Sequence, residues 1–317
     1  HGKTQKLLVQ VFKNNHFDIA HTHGGVAGFF GRRAARKCGA PVILHTLHGI
    51  HYLHYRNPVV RLLYILLERW YSRFTHGVIL VSEADQKQAI KYRLCSESKM
   101  RIIKNGINFS EIKNLSTVAK AEKKAVLGIH LKKPVLGTVA RLHRQKGIPF
   151  LVQAMARISK ELPDAVLLIV GGGPQEEKVK SLTRDLALDE KIIFLGERED
   201  AMEILSLFDI FILPSLWEGL PYVLMEAAGM AKPVVATSID GVREMIRDGE
   251  TGLLVPAEDA NGLAMAVLRL VRDRSLADRL AQNLKKHITA TYGLSRMTAE
   301  VENYYKYLAS EAKNKAD

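Results

Sequence analysis

Two carboxylates, Glu218 and Glu226, bracket a glycine and a proline in the run Glu218-Gly-Leu-Pro-Tyr-Val-Leu-Met-Glu226. The apolar stretch 208–213 before it reads as a buried parallel strand ending in Pro214 and Ser215. A turn must follow, and Pro221 suits the first position of a helix expected over 220–231. The free N–H groups of that helix would face whatever Glu218 faces, and such a helix end attracts phosphate. Two further groups have the same character. Arg141-Leu-His-Arg-Gln-Lys146-Gly147 sets two cations five residues apart on a loop entering a helix at Gly147, enough to grip a diphosphate from two sides. Gly171-Gly-Gly-Pro174 follows the apolar run 166–170 and opens a helix at Pro174, so backbone there can approach a nucleotide closely. It lacks the G-x-G-x-x-G dinucleotide pattern, because Pro, Gln and Glu follow Gly173. Each feature alone has an ordinary reading as a solvated charge or a tight turn; a ligand such as a hydroxyl-rich, phosphate-bearing molecule is indicated by their company.

That company depends on the elements that position them. Short apolar runs near 19–21, 42–45, 78–81 and 101–103 alternate with helical patterns near 25–37, 58–75 and 83–93, the last with Ser82 and Asp85 as a capping pair. After a polar, lysine-rich stretch over 110–133, strands are expected at 135–140, 166–170, 192–195, 210–213 and 234–237, each followed by a helical pattern. Such alternation implies parallel sheets covered on both faces, and two doubly wound α/β domains are the simplest architecture. In the second series Arg141, Lys146, Gly171 to Gly173, Gly196, Glu218 and Ser238 all follow a strand. The carboxyl ends of parallel strands share one edge, so these residues are expected to converge on one crevice.

Composition excludes several classes. A chain of 317 residues with 47% hydrophobic and 25% charged residues is globular and long enough for two cores. Arg61 interrupts the best membrane-span candidate, 58–67, well short of the roughly 18–20 apolar residues a span needs. Two cysteines, Cys38 and Cys95, are too few for a disulfide framework or a structural zinc site and suit a reducing cytoplasm. The net charge of +13 is almost wholly N-terminal, with 18 Lys+Arg against 6 Asp+Glu in residues 1–113. Arg32, Arg33, Arg36, Lys37, Arg56, Arg61, Arg69 and Arg73 lie on or beside two helical segments, the second interleaved with Leu, Ile, Trp70 and Tyr71. An anionic membrane surface and a simply solvated basic face both fit. No nucleic-acid-binding module accompanies the charge. Seven histidines crowd the same region, His16, His21, His23, His45, His48, His51 and His54, but no Asp, Glu or Cys cluster joins them to make a metal site. The chain opens at His1 already inside a helical pattern, 6–13, so an N-terminally incomplete first domain is expected.

Arg141 with Lys146, the glycine turn 171–173, Phe194-Leu-Gly196, Glu218 eight residues before Glu226, and Gly249-Glu-Thr-Gly252-Leu-Leu-Val-Pro256 together resemble the retaining GT-B glycosyltransferases of family four. The five elements occur in the family's order and cover nearly the whole chain. The resemblance implies an N-terminal, acceptor-side Rossmann-like domain over 1–112, truncated at its start, and a nucleotide-sugar donor domain over 113–294 facing it across a cleft. A final helix within 295–317 would return to the first domain.

Carried over, Arg141 and Lys146 match the cations on the donor diphosphate, and Glu218 matches the carboxylate near the sugar hydroxyls with the backbone of Gly219 and Leu220 beside it. Glu226 matches the ribose ligand, and the backbone at Gly172 and Gly173 lies near the nucleotide. Arg198, just beyond Gly196, falls where backbone contacts the base, with Asp200 helping to read it. Thr46-Leu-His48-Gly49 resembles the loop whose histidine approaches the reacting sugar, which singles out His48; His21 and His23 either line the cleft or pack structurally.

The implied reaction moves a hexose or N-acetylhexosamine, UDP-linked, to a glycan or lipid-linked acceptor in bacterial surface polysaccharide assembly, without metal or other cofactor. It would take place in the cytoplasm at the inner face of the membrane, with a peripheral contact to anionic lipid and no nucleic-acid partner. The rivals are a non-catalytic nucleotide-sugar-binding regulatory or scaffolding protein of the same fold, and a sugar-nucleotide epimerase. Two departures from the family are a missing first strand with its glycine-rich loop, which should leave the first sheet without a central strand, and Asp240-Gly241 where the family pairs glycines.

Overall fold

A computed structural model of the chain describes residues 2–314, which fall into two units: residues up to Gly106 with those from Leu294 onward, and Ile107–Gly293. The first unit holds a parallel sheet of β1 (Ile19–His23), β2 (Val42–Leu47), β3 (Gly77–Leu80) and β4 (Met100–Ile102) in that spatial order. Helices α1 (Gly2–Asn14), α2 (Gly25–Lys37), α3 (Pro58–Ser72) and α4 (Glu83–Lys91) connect or precede the strands. An order that never reverses, with right-handed crossovers, places the connecting helices on one face. The opposite face is closed by the last helix, Leu294–Lys313: Val42, Leu44 and Ile79 pack with its Tyr304 and Leu308. All six residues of β2 are buried, as a strand covered on both sides requires.

Local signals explain the helix starts. Asn57 caps α3 by accepting from the N–H groups of Val59 and Val60 at 2.9 and 3.2 Å, with Pro58 in the first turn. Ser82 caps α4: its hydroxyl accepts from Asp85 N–H at 3.0 Å and donates to the Asp85 carboxylate at 2.8 Å, the reciprocal pair the sequence signals.

The second unit contains β5 (Val135–Val139), β6 (Val166–Val170), β7 (Ile192–Gly196), β8 (Ile210–Leu213), β9 (Val234–Thr237) and β10 (Leu253–Val255). Its helices are α5 (Thr117–Val126), α6 (Ile148–Glu161), α7 (Glu176–Asp185), α8 (Ala201–Ser206), α9 (Tyr222–Gly229), α10 (Asp240–Arg243), α11 (Ala260–Arg272) and α12 (Arg274–Thr291). The helix from Leu294 is then α13. The six parallel strands run β7-β6-β5-β8-β9-β10, the 3-2-1-4-5-6 order of the Rossmann fold. Leu136, Leu167, Ile169, Ile210 and Val235 pack against Leu151 and Met155 of α6 and Leu263 and Val267 of α11. The two ends of this unit meet: Ile107 N–H donates to Tyr292 C=O at 3.0 Å, and Ile107 bridges Gly293. Among the described residues no helix is long and apolar enough to cross a membrane.

Candidate active site

Strand order in the second sheet reverses between β5 and β8, and ligands of open parallel sheets bind outside the carboxyl ends at such a point. The loops leaving these two strands carry Arg141 to Lys146 and Ser215 to Glu218, and they are laced together. Leu216 N–H donates to Gln145 C=O at 2.7 Å, and Gln145 Nε2 donates to Trp217 C=O at 2.9 Å and to Glu218 Oε2 at 3.1 Å. Gly147, at φ 61°, leaves no room for a side chain: a Cβ there would sit 2.0 Å from Pro214 C=O. Only glycine gives both the left-handed turn and that approach.

Glu218 sits at the centre of this lacing. Its Oε1 accepts from Lys146 Nζ at 2.5 Å and Ser215 Oγ at 2.7 Å, and its side chain is 6% exposed against 20% for Lys146. In this state Lys146 and Glu218 answer each other's charge. Arg141, by contrast, is exposed and makes no side-chain hydrogen bond or ion pair among the described residues. The two cations expected to act alike thus stand in different environments.

The glycine turn packs on the same loop. A Cβ on Gly171 would lie 2.2 Å from Ala140 C=O, and one on Gly173 would lie 2.6 Å from Leu142 C=O. Leu142 N–H donates to Gly172 C=O at 2.8 Å, and Gly171 N–H donates to Gly196 C=O at 2.7 Å, which joins the ends of β5, β6 and β7. The helix after this turn begins at Glu176 rather than Pro174, and the free N–H of its capping residue Gln175 is satisfied by Leu142 C=O at 2.9 Å.

Helix α9 likewise starts at Tyr222, later than the expected 220, and ends at Gly229. Pro221 has ψ 116°, extended backbone, so it caps the helix from outside instead of occupying its first position. Gly219 and Leu220 are buried just before it, and a Cβ on Gly241 of α10 would fall 1.4 Å from Gly219 C=O. Glu226, two-thirds of the way along α9, is half-buried with no side-chain partner among the described residues, and burial pushes its carboxyl above the usual range. Arg198 grips Asp200 with Nε to Oδ1 at 2.6 Å and Nη2 to Oδ2 at 2.8 Å, and Lys123 reaches Asp200 Oδ2 at 2.6 Å. The hydrogen bonds from Arg198, then from Lys123, hold the Asp200 carboxyl well below the usual range. Both side chains are thereby committed to each other.

In the first unit the histidines gather at the carboxyl ends of β1 and β2. His21 pairs through Nδ1 with the Tyr305 hydroxyl at 2.6 Å and through Nε2 with Thr46 Oγ1 at 2.7 Å. His23 Nδ1 lies 3.0 Å from His48 Nε2, their rings stacked at 5.3 Å. Burial, then His23 and His48, lowers His21 to about 4; His48 is lowered by burial, then by His23 and His51. Stacked imidazoles this close resist a shared charge, so the cluster is neutral near pH 7 and offers lone pairs rather than cations. Among the described residues no group of three or more His, Cys, Asp or Glu side chains is placed to hold a metal ion.

Against known proteins, the description glycosyl transferases group 1 matches residues 119–287, and Glycosyltransferase Family 4 matches residues 3–111. The chain belongs to the group 1 glycosyltransferases. It is therefore a glycosyltransferase enzyme, of family four. A UDP-Gal:alpha-D-GlcNAc-diphosphoundecaprenol alpha-1,3-galactosyltransferase of Escherichia coli is 29% identical over 96% of this chain and 79% of its own length. The capsular polysaccharide biosynthesis glycosyltransferase CapM of Staphylococcus aureus is 24% identical over 98% of this chain and 82% of its own. Among solved structures, Anabaena HepE in complex with UDP-glucose superposes with a TM-score of 0.86 at 22% identity, covering 95% of this chain and 82% of that one. The fold of this glycosyltransferase is GT-B.

Sequence reasoning gave no role to Ser215, Gln145, Thr46 or Tyr305. The first two had a signal, being three residues before Glu218 and next to Lys146; Tyr305, on the last helix, had none.

Proposed function

We propose that this enzyme transfers a hexose or N-acetylhexosamine from a UDP-sugar to a glycan or lipid-linked acceptor in bacterial surface polysaccharide assembly, with retention of anomeric configuration. The observation that carries the reading is the meeting of the Arg141–Lys146 loop, the glycine turn and Glu218 at the reversal point of the second sheet. Support comes from the galactosyltransferase activity for which the Escherichia coli relative is named and from the UDP-glucose bound by HepE.

Breaking an anomeric carbon to phosphate bond leaves extra negative charge on the departing nucleotide, and fixed donors aimed at it lower the barrier. Arg141 is available for the diphosphate as it stands. Lys146 becomes available when donor sugar hydroxyls take its place on Glu218, which Ser215 and Gln145 continue to hold. Glu226 accepts from the ribose, the backbone of Gly172, Gly173, Gly219 and Leu220 lines the donor, and the 196–200 segment meets the base. His48, kept neutral by burial and paired with His23, serves the reacting sugar on the acceptor side. Since these cations and the α9 end supply the charge, the reading includes no metal cofactor. The excess of basic residues in the first unit supports a reading in which the enzyme works in the cytoplasm against the anionic inner face of the membrane.

Thermal-shift titration with UDP, UDP-glucose, UDP-galactose, UDP-N-acetylglucosamine and GDP-mannose tests the donor assignment, and UDP release in the presence of chelator tests the chemistry. Stabilisation by the UDP series with slow UDP release is expected. Stabilisation by GDP-mannose alone overturns the base assignment, and binding with no UDP release under any acceptor leaves a nucleotide-sugar-binding protein instead.

A further inference from the structure

Helix α3 turns its acid inward and its leucines outward. Its only acid, Glu68, is 2% exposed and receives a bidentate grip from Arg32 of α2, itself fully buried, at 2.7 and 2.9 Å. Ile65, Tyr71 and Ser72 share that inner face. The outer face carries Val59, Leu63, Leu66 and Trp70, spaced i, i+4, i+7 and i+11, a single stripe on a helix of 3.6 residues per turn. They are 73%, 53%, 49% and 45% exposed, with Leu62 at 54% beside them. An apolar stripe of this kind normally faces a core, and its exposure marks a contact surface.

Charge decides what it contacts. Arg56 and Arg73 stand exposed at the two ends of the stripe, Arg69 beside Trp70 is exposed while donating through Nε and Nη2 to Tyr92 C=O, and no acid faces outward from the helix. A second copy of the chain meeting this face about a twofold axis would set the same patch, and its arginines, against themselves. An anionic lipid surface answers both parts, with headgroups for the guanidinium groups, acyl chains for the leucines, and the interfacial depth that tryptophan prefers. We infer that α3 is the membrane-seating element of this enzyme, lying along the bilayer surface with Val59, Leu63, Leu66 and Trp70 inserted among anionic lipids. This rests on the reading of a peripheral membrane enzyme and names the surface responsible.

The test uses the whole chain and phosphatidylcholine vesicles with and without phosphatidylglycerol. Co-sedimentation is expected only with the anionic vesicles, and Leu63→Gln with Leu66→Gln is expected to lower the partition coefficient by at least about tenfold. Tryptophan emission should shift to the blue on binding in Trp217→Phe protein and stay fixed in Trp70→Phe protein, which separates insertion from misfolding of the leucine variant. Anionic binding that the leucine pair leaves unchanged overturns the role of α3 while the membrane reading stands. Absence of binding to either vesicle overturns both. A concentration-dependent dimer abolished by the leucine variant, seen by light scattering, overturns the proposal in favour of self-association.

Discussion

Replacing each of the two loop cations by alanine should separate a structural from a catalytic debt. Lys146→Ala strips the ammonium from a Glu218 carboxylate that is nearly out of solvent. Breaking a fully buried pair costs about 3–5 kcal/mol. Here Ser215 and Gln145 still donate to the carboxylate, and Lys146 retains some solvent, so about 2 kcal/mol is the appropriate scale. For a domain of this size that lowers the melting temperature by about 4–8 °C. Arg141→Ala removes an exposed, unpartnered side chain and should stay within about 0.5 kcal/mol of wild type. On the proposed assignment both lose a charged contact to the diphosphate, worth about 1.5–3 kcal/mol, so UDP affinity by calorimetry should fall about ten- to a hundredfold in each. Removing the acid as well, in Lys146→Met with Glu218→Gln, should return part of the lost stability, because no buried charge is left unanswered. A Lys146→Ala protein that melts with wild type refutes the buried pair. Wild-type UDP affinity in both single variants refutes the diphosphate assignment.

Glu226→Gln should weaken UDP binding while leaving stability at pH 7 equal or higher; burial raises this carboxyl in the folded state, so its ionised form costs stability above both the unfolded and folded values, and denaturant melts check the sign. Gly241→Ala must displace the backbone of Gly219, at a cost of about 3 kcal/mol or more visible in urea melts, with loss of donor binding. The His21 cluster predicts acid sensitivity. Above about pH 6.5 these imidazoles are neutral whether folded or not, whereas between 6.5 and about 4 the unfolded chain takes up protons that folded His21 refuses, so stability falls through that window and levels off below it. With partial solvent screening His21 accounts for about 1–2 kcal/mol, and His21→Gln should flatten the profile of denaturation midpoint against pH between 7 and 4.

Strands such as Val166–Val170 were legible because a strand buried on both faces is an uninterrupted apolar run. Their spatial order was not, since nothing in 210–213 says that this strand returns beside 135–139 rather than next to its chain neighbour. The motif residues were legible by type and by the family they resemble, while their pairings were hidden by distance along the chain: Lys146 and Glu218 are 72 residues apart, and each alone looks like a free ligand group. Asp200 was expected to read a base, yet Arg198 and Lys123 occupy it, an arrangement that needs three segments placed together. The lysine-rich stretch 110–133 has a linker's composition but contains helix α5, capped by Ser116. In α3 the apolar periodicity was visible, but which side faced inward depended on Arg32, which reaches Glu68 from another helix.

The clasp of Ile107 against Tyr292 and Gly293 has a consequence for biogenesis. Everything between those residues is a cassette spliced into the first unit's chain, with its entry and exit threads knotted side by side. On a ribosome the cassette has all it needs to close as soon as it emerges, whereas the earlier-made sheet waits with one wall bare until the final helix arrives to seal it. Premature stop codons anywhere within Leu294–Lys313 should thus injure a sheet whose strands were translated before the cassette.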